Sequence, residues 1–109
     1  TLYNISNTGN VNMNITQRGT NMTCQSLSCS DDYISVSNAS WKSSMTAATD
    51  ANMIYANRIA MTATDDNANP VATNIVPENY TWERFWLMSR VDQGAGLYNG
   101  TYTQTCSEA

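Results

Sequence analysis

The residues with the clearest capacity for chemistry are asparagines in the sequon Asn-x-Ser/Thr, whose side-chain nitrogen accepts N-linked glycans. Six sequons begin at Asn4, Asn14, Asn21, Asn38, Asn79 and Asn99. A chain with 14 Asn and 25 Ser or Thr residues among 109 would contain about three by composition alone. A sequon must lie on the surface to be used, so the excess predicts N-glycosylation outside the cell; the alternative is that composition explains all six.

The three cysteines favour a disulfide over a metal site. Cys24 and Cys29 enclose four residues and would close a short loop, which leaves Cys106 free or paired with another chain. The chain has no histidine and no Cys-x-x-Cys motif, so the usual zinc sites cannot be completed. A disulfide indicates an oxidising compartment, and three reduced, buried cysteines in a cytosolic protein are the alternative.

The acidic residues do not form a recognisable catalytic or metal-binding motif. Without histidine, Ser/His and Cys/His nucleophilic catalysis are excluded, and nothing places Glu78 or Glu83 opposite a second acid as a glycosidase requires. Residues 65–69 match the first three ligand positions of an EF-hand, but the required glycine is a proline and the terminal glutamate a valine. We therefore expect no enzymatic activity, no cofactor and no metal. Asp65 and Asp66 remain weak calcium candidates, and the alternative is that they form a solvated acidic turn.

A second acidic pair, Asp31 and Asp32, is an equally weak calcium candidate, since hard cations require only clustered oxygens.

An aromatic cluster lies in the most apolar part of the chain. Phe85 and Trp86 are expected to pack in the core, as aromatic residues at strand period usually do. Tyr80 and Trp82 adjoin the Asn79 sequon and are expected to be more exposed. An exposed aromatic pair on a β-face could stack on sugar rings, so Tyr80 and Trp82 are candidates for carbohydrate contact.

Charge and hydropathy exclude two classes of partner. The net charge is −4 and the five basic residues are scattered singly, so no nucleic-acid footprint is present. The longest apolar runs are four residues, too short for a membrane span. The chain opens without a secretory signal, so an exported protein would be represented here by its mature form or by an excised part.

The elements that must position these residues are predicted to be β-strands. Asn, Thr and Ser make up 39 of 109 residues and are poor in helix interiors. Val11–Arg18 alternates with period two, and with Thr1–Ser6 it predicts a hairpin around residues 7–10. Met45–Thr64 is interpreted as strand, loop and strand. The remaining predicted strands are Tyr33–Ser37, Val71–Val76, Thr81–Val91 and Leu97–Cys106, the last with a weak spot at Gly100.

About seven short strands at intervals of roughly ten residues predict a single all-β domain over residues 1–109, an antiparallel β-sandwich. The alternation assigns eleven residues to its core. They are Val11, Met13, Ile15, Ile34, Val36, Trp41, Phe85, Trp86, Leu87, Tyr98 and Tyr102.

Four segments of the chain carry a resemblance to a known group of domains. They read YNISNTGNVNMNITQRGTNMTC, DYISVSNASW, YTWERFWLMSRV and GLYNGTYTQT. In this order and spacing they resemble the Ig-like β-sandwich domains of secreted and surface-layer-type proteins of archaea and uncultured small-genome prokaryotes. The shared motifs are N-x-G-N, G-T-N-x-T-C, an aromatic-Trp strand and G-x-Y-x-G-T-x-T. The resemblance implies an Ig-like sandwich of about seven strands, used in surface coats, adhesins and extracellular filaments.

The chain departs from that family's pattern at its third cysteine. The family has a cysteine near the start of the last strand, around Leu97, whereas this chain has Cys106 at the far end. Nine strand steps separate these positions by about 30 Å, too far for one cysteine to replace the other. The resemblance therefore implies that Cys24 pairs with Cys29 and that Cys106 has no partner within the domain.

These observations together predict an extracellular structural subunit or module of a filament or surface layer. Thr81–Val91 has apolar side chains on both faces, and the terminal strands lack the Lys or Pro that usually protects an edge. We therefore expect partners to be copies of the chain or neighbouring domains of the same assembly, with Cys106 as a candidate intermolecular crosslink. The alternative is a carbohydrate-binding or adhesive module of a larger surface protein.

Overall fold

Antiparallel β-strands form the framework of the protein in a computed structural model that describes residues 2–109. The ten strands are β1 (Leu2–Ser6), β2 (Met13–Gly19), β3 (Met22–Cys24), β4 (Tyr33–Ile34), β5 (Ala39–Ser44), β6 (Ile59–Ala60), β7 (Ala72–Ile75), β8 (Tyr80–Leu87), β9 (Tyr98–Asn99) and β10 (Tyr102–Glu108). Three single-turn 3-10 helices lie at Leu27–Cys29, Val36–Asn38 and Tyr55–Asn57, and no α-helix occurs in this range. The all-β prediction is confirmed, although the strands number ten rather than about seven.

The strands form three antiparallel sheets. The largest has the order β1-β8-β5-β6, the second has the order β10-β2-β7, and a small third sheet has the order β4-β3-β9. Side chains of the two larger sheets meet in one buried cluster that includes Ile15 of β2, Trp41 of β5 and Ile75 of β7. The two larger sheets therefore pack face to face as a sandwich, each with one face toward this core.

The hairpin predicted between the first two strands is wrong. β1 pairs instead with β8, and β2 pairs with β10 and β7, so the chain crosses from one sheet to the other at residues 7–10. Asn7 explains the crossing, because its buried side-chain nitrogen donates hydrogen bonds to the carbonyls of Val11 and Ile75, each over 2.8 Å. Thr1, part of the predicted first strand, lies outside the described residues.

The segment predicted as strand, loop and strand over Met45–Thr64 is mostly turns, followed by the 3-10 helix Tyr55–Asn57 and by β6. It covers the outer face of β8 at Arg84 and Trp86. Arg84 donates a hydrogen bond of 3.0 Å to the carbonyl of Met53, and Tyr55 packs edge-on against Trp86. Met53 is fully buried. Part of the second apolar face of β8 is thus covered by the chain itself.

The last predicted strand is divided at Gly100 into β9 and β10, which join different sheets. A side chain at Gly100 would approach Met22 Cγ to 2.8 Å, so the close passage past β3 requires glycine. The weak spot was predicted, but the continuous strand across it was not observed.

The core prediction holds for Ile15, Ile34 and Trp41, which are buried. It is wrong for Val11, Leu87 and Tyr102, which are exposed at a turn, at a strand end and on an edge strand. The partly buried members are Met13, Val36, Phe85, Trp86 and Tyr98. The buried residues that were not predicted include Met53, Met61, Val71, Ala72 and Ile75.

Candidate functional site

One side of the sandwich is open where the edge strands of the two larger sheets face each other. Tyr3 of β1 and Tyr102 of β10 both stack on Phe85 of β8, with ring centroids 5.2 and 5.6 Å apart. Both tyrosines point toward the sandwich interior, yet they are 37% and 46% exposed. We call this side the open flank; it is formed by the inward residues Tyr3 and Ile5 of β1 and by Tyr102, Gln104 and Cys106 of β10.

The two edges at the open flank are longer and more regular than those on the opposite side. β10 pairs with β2 over seven residues and β1 with β8 over five, both without a register shift. On the other side, β6 has two residues, and β7 has four with a register shift against β2. Long, regular edges present a row of backbone groups that another strand can pair with. The strands able to accept a partner therefore lie on one side of the molecule.

Cys106 lies at the open flank and carries a free, exposed thiol. It borders an apolar cavity of about 230 Å³ between the two sheets. The cavity is lined by Ile5, Ser6, Asn7, Thr8, Gly9, Met13, Ile15, Ile75 and Cys106. The thiol is thus accessible from outside while its strand remains paired with β2.

The other two cysteines are joined in the disulfide Cys24–Cys29, with Cα atoms 5.7 Å apart. This is the pairing that the resemblance implied. The bond closes the loop around the 3-10 helix Leu27–Cys29 and buries Cys29.

Glu83 is a fully buried carboxylic acid behind the open flank. Its Oε1 accepts hydrogen bonds from Tyr3 Oη at 3.0 Å and from Gln104 Nε2 at 2.9 Å, so strands β1, β8 and β10 meet at one atom. Its Oε2 and the buried Nε2 of Gln17 on β2 have no hydrogen-bond partner in the described structure. Burial raises the pKa of Glu83 to about 7, and the hydrogen bonds from Tyr3 and Gln104 oppose that rise.

No cation compensates this acid within residues 2–109. The ion pairs join Arg18 to Asp65 and Arg90 to Asp32 and Asp92, all away from Glu83. The same burial raises the pKa of Tyr3, whose hydroxyl lies against the carboxyl group. The sequence indicated only a possible catalytic role for Glu83. The period-two alternation of Thr81–Val91 nevertheless puts Glu83 on the same strand face as Phe85 and Leu87. A carboxylate on an apolar face was the signal that could have identified it.

The six sequon asparagines are accessible to different degrees. Asn4, Asn21, Asn79 and Asn99 are exposed, whereas Asn14 and Asn38 are half-buried. Where a sequon side chain makes a hydrogen bond in the described residues, it uses Oδ1: Asn4 accepts from Ser6 Oγ, Asn14 from the Asn74 amide, Asn21 from the Val36 amide and Asn79 from the Tyr80 amide. The nitrogen that would carry a glycan is therefore not used in these bonds.

The two aromatic residues predicted to contact carbohydrate lie side by side on the outer face of β8. The rings of Tyr80 and Trp82 are 5.6 Å apart and nearly perpendicular, at 85°. Tyr80 is exposed and Trp82 half-buried. Perpendicular rings do not form a single flat platform, so the pair offers one ring face bordered by the other ring.

The acidic calcium candidates have partners within the chain. Asp65 contacts Arg18 and Thr105, and Asp66 accepts hydrogen bonds from the backbone and side chain of Asn69. Across residues 2–109, no three His, Cys, Asp or Glu side chains cluster as a metal site would require.

Asp32 links the disulfide loop to the segment before β9. It accepts hydrogen bonds from the amides of Gly94 and Tyr33, both 2.8 Å long, and it pairs with Arg90. These interactions, led by the bond from Gly94, lower the pKa of Asp32 to about 2. This carboxylate therefore stabilises two loops rather than forming an open cation site.

Comparisons of the chain with protein-family models, curated proteins and solved structures find no match. Within the described residues, no helix is long and apolar enough to cross a bilayer.

Proposed function

We propose that this chain is an extracellular, N-glycosylated structural subunit or module that assembles edge to edge with copies of itself or neighbouring domains in a filament or surface layer. The observation that carries the proposal is the open flank. There β10 pairs with β2 over seven residues in unbroken register, and no other strand of residues 2–109 pairs with its outer edge. β10 contains no Lys, Arg or Pro, and its only charged residue is Glu108 near its end. Such an edge can be extended by main-chain hydrogen bonds from another strand.

The extracellular part of the proposal rests on two independent features. The disulfide Cys24–Cys29 favours an oxidising compartment. The six sequons, four of them with exposed asparagines, are usable only where glycans are attached to exported proteins. The proposed relationship to Ig-like surface domains adds a third argument, because such domains are building blocks of surface coats.

A second copy of β10 is the simplest partner for this edge. Two β10 strands can pair antiparallel about a twofold axis with Cys106 opposite Cys106 of the other copy. Directly opposed residues have Cα atoms about 4.5–5.5 Å apart, which falls within the range of a disulfide. In this register Glu108 lies opposite Gln104 of the other copy, so like charges do not meet.

The same register explains how Cys106 could act as a crosslink. Each thiol would lose one proton and one electron to form the S–S bond, and dioxygen or a small-molecule disulfide outside the cell would accept the two electrons. The bond would then lock a contact that main-chain hydrogen bonds form first.

The alternative function, a carbohydrate-binding or adhesive module, is supported less well. Its candidate residues Tyr80 and Trp82 are perpendicular rather than coplanar. A flat sugar-binding platform would require two ring faces in one plane, and the pair provides one.

Sedimentation velocity of the native protein without reductant tests the proposed assembly. We expect dimers or larger species at high micromolar concentration, and a fraction of them should persist on dilution until reductant is added. A strictly monomeric profile at every concentration, unchanged by reductant, would contradict assembly through this domain.

A further inference from the structure

One sequon lies in register with the exposed aromatic pair. In the β1–β8 ladder, Asn4 is the direct partner of Trp82 and Ser6 is the direct partner of Tyr80. Directly opposed residues of an antiparallel pair share a face and have Cβ atoms about 4.5–5.5 Å apart. Their face is the outer one, since Thr81 and Glu83 between them are buried toward the core. Both polar residues of this sequon thus stand beside an aromatic ring.

The side chain of Asn4 is poised to direct a sugar over these rings. Asn4 is exposed, and its Oδ1 accepts a hydrogen bond of 3.1 Å from Ser6 Oγ on the same strand. This bond orients the amide group and leaves Nδ2 for the glycan. Trp82 is the direct neighbour of Asn4 across the ladder, with Tyr80 and Arg84 at the two diagonal positions, so a sugar linked to Asn4 lies within reach of the Trp82 and Tyr80 rings.

The aromatic pair has the shape that one sugar ring requires. Trp82 is half-buried, with Tyr80 standing at 85° to it as a wall and 41% exposed. The C–H face of a pyranose is apolar and packs on an aromatic face, while its hydroxyls remain in water. A perpendicular pair therefore suits one tethered sugar better than an extended polysaccharide.

The other strand sequons have no such neighbour in register. Asn14 is opposite Ser107, and Asn99 is opposite Thr23. Asn79 precedes Tyr80 in the chain, but it lies in the turn before β8 and its Oδ1 accepts the Tyr80 amide. Asn4 is thus distinguished from these sequons by its position rather than by its motif.

We propose that the first sugar of a glycan on Asn4 packs against Trp82 and Tyr80 of the same chain. This inference rests on the proposed N-glycosylation and deepens it by assigning the sugar a binding surface. It also gives the aromatic pair an occupant supplied by the chain itself. A sugar held there covers part of the outer face of β1 and β8.

The test uses glycosylated protein from its native source and has two parts. Mapping of glycopeptides first establishes which of the six sequons carry sugar. Nuclear Overhauser contacts are then measured between the first sugar on Asn4 and the ring of Trp82 in the unaltered protein. We expect direct contacts, with sugar ring protons shifted upfield by the aromatic ring.

Variants provide a second readout. Asn4→Gln should lower the melting midpoint of the glycosylated protein by about 4 °C, the size expected for one lost aromatic contact. In a Trp82→Leu background the same substitution should have no effect on the midpoint. In a Trp86→Leu background, Asn4→Gln should again lower the melting midpoint by the full amount. Trp86 is on the same face of β8, but it lies opposite Ser40 of β5, whereas Trp82 lies opposite Asn4.

The outcomes separate this inference from the proposed glycosylation. Sugar on Asn4 without contacts to Trp82, and with equal losses in all three backgrounds, would overturn the packing while leaving glycosylation intact. Sugar at other sequons but not at Asn4 would also overturn it. Sugar at none of the six would refute the glycosylation proposal itself, and the packing with it.

Discussion

Replacing Glu83 with glutamine is expected to raise the free energy of unfolding by about 3 kcal/mol at pH 8.5 and to leave it nearly unchanged at pH 4. Burial raises the pKa of this acid from 4.5 to about 7, and each pKa unit corresponds to about 1.4 kcal/mol. Glutamine keeps an oxygen that can accept the hydrogen bonds from Tyr3 and Gln104, and it carries no charge at any pH. Urea unfolding at several pH values measures the difference.

The sign of this effect follows from proton binding. Between pH 4.5 and 7 the folded protein holds a proton on Glu83 that the unfolded chain has released. The stability that Glu83 contributes is therefore complete below about pH 4.5 and is lost as the pH rises through 7. The variant should not show this loss.

Glu78→Gln provides the matched control, because Glu78 is exposed in the turn before β8. It removes the same charge without a buried carboxyl group, so it should keep the pH dependence of the unaltered protein. If Glu83→Gln also kept that dependence, the interpretation of Glu83 as a buried, neutral acid would be wrong.

Cys106→Lys is expected to weaken self-association by at least about tenfold, because it places two like charges directly opposite each other in the proposed β10 pairing. Cys106 is exposed at the border of the apolar cavity, so the lysine stem can pack along that border while its charge stays in water, and the monomer should remain folded, which far-UV circular dichroism checks. Cys106→Ser should remove only the reductant-sensitive species and preserve reversible association. Sedimentation of the three proteins at matched concentrations measures both effects.

Thr73→Lys adds the same charge on β7, the edge opposite the open flank. It should leave association unchanged. Equal weakening by both lysine variants would indicate a general charge effect, and no weakening by Cys106→Lys would exclude the β10 register.

The sequence predicted the class of fold because period-two alternation reports a local property of the backbone. The segment around Ile15 alternates clearly and lies in a strand, and the apolar segment around Phe85 is a strand as predicted, whereas the strand that carries Trp41 was not predicted. Which strand pairs with which is not a local property. The turn at residues 7–10 has the composition of a hairpin, yet the buried hydrogen bonds of Asn7 direct the chain into the other sheet.

The candidate site was predicted in part for the same reason. The uncharged composition of residues 102–106 and the odd cysteine were visible in the sequence, whereas the open flank depends on β1 and β10 belonging to facing sheets. Glu83 could have been identified from its place among apolar residues. Its contacts with Tyr3 and Gln104 could not, because they join residues 80 and 21 positions apart.

Amide hydrogen exchange across β10 most directly tests the claim that the chain assembles through this edge. It should be measured on Cys106→Ser, at low and at high concentration, so that only non-covalent pairing is observed. We predict that amides of Tyr102–Glu108 pointing away from β2 become protected at high concentration, while those of Ala72–Ile75 do not change. Association at high concentration without any slowing of exchange in Tyr102–Glu108 would contradict the account.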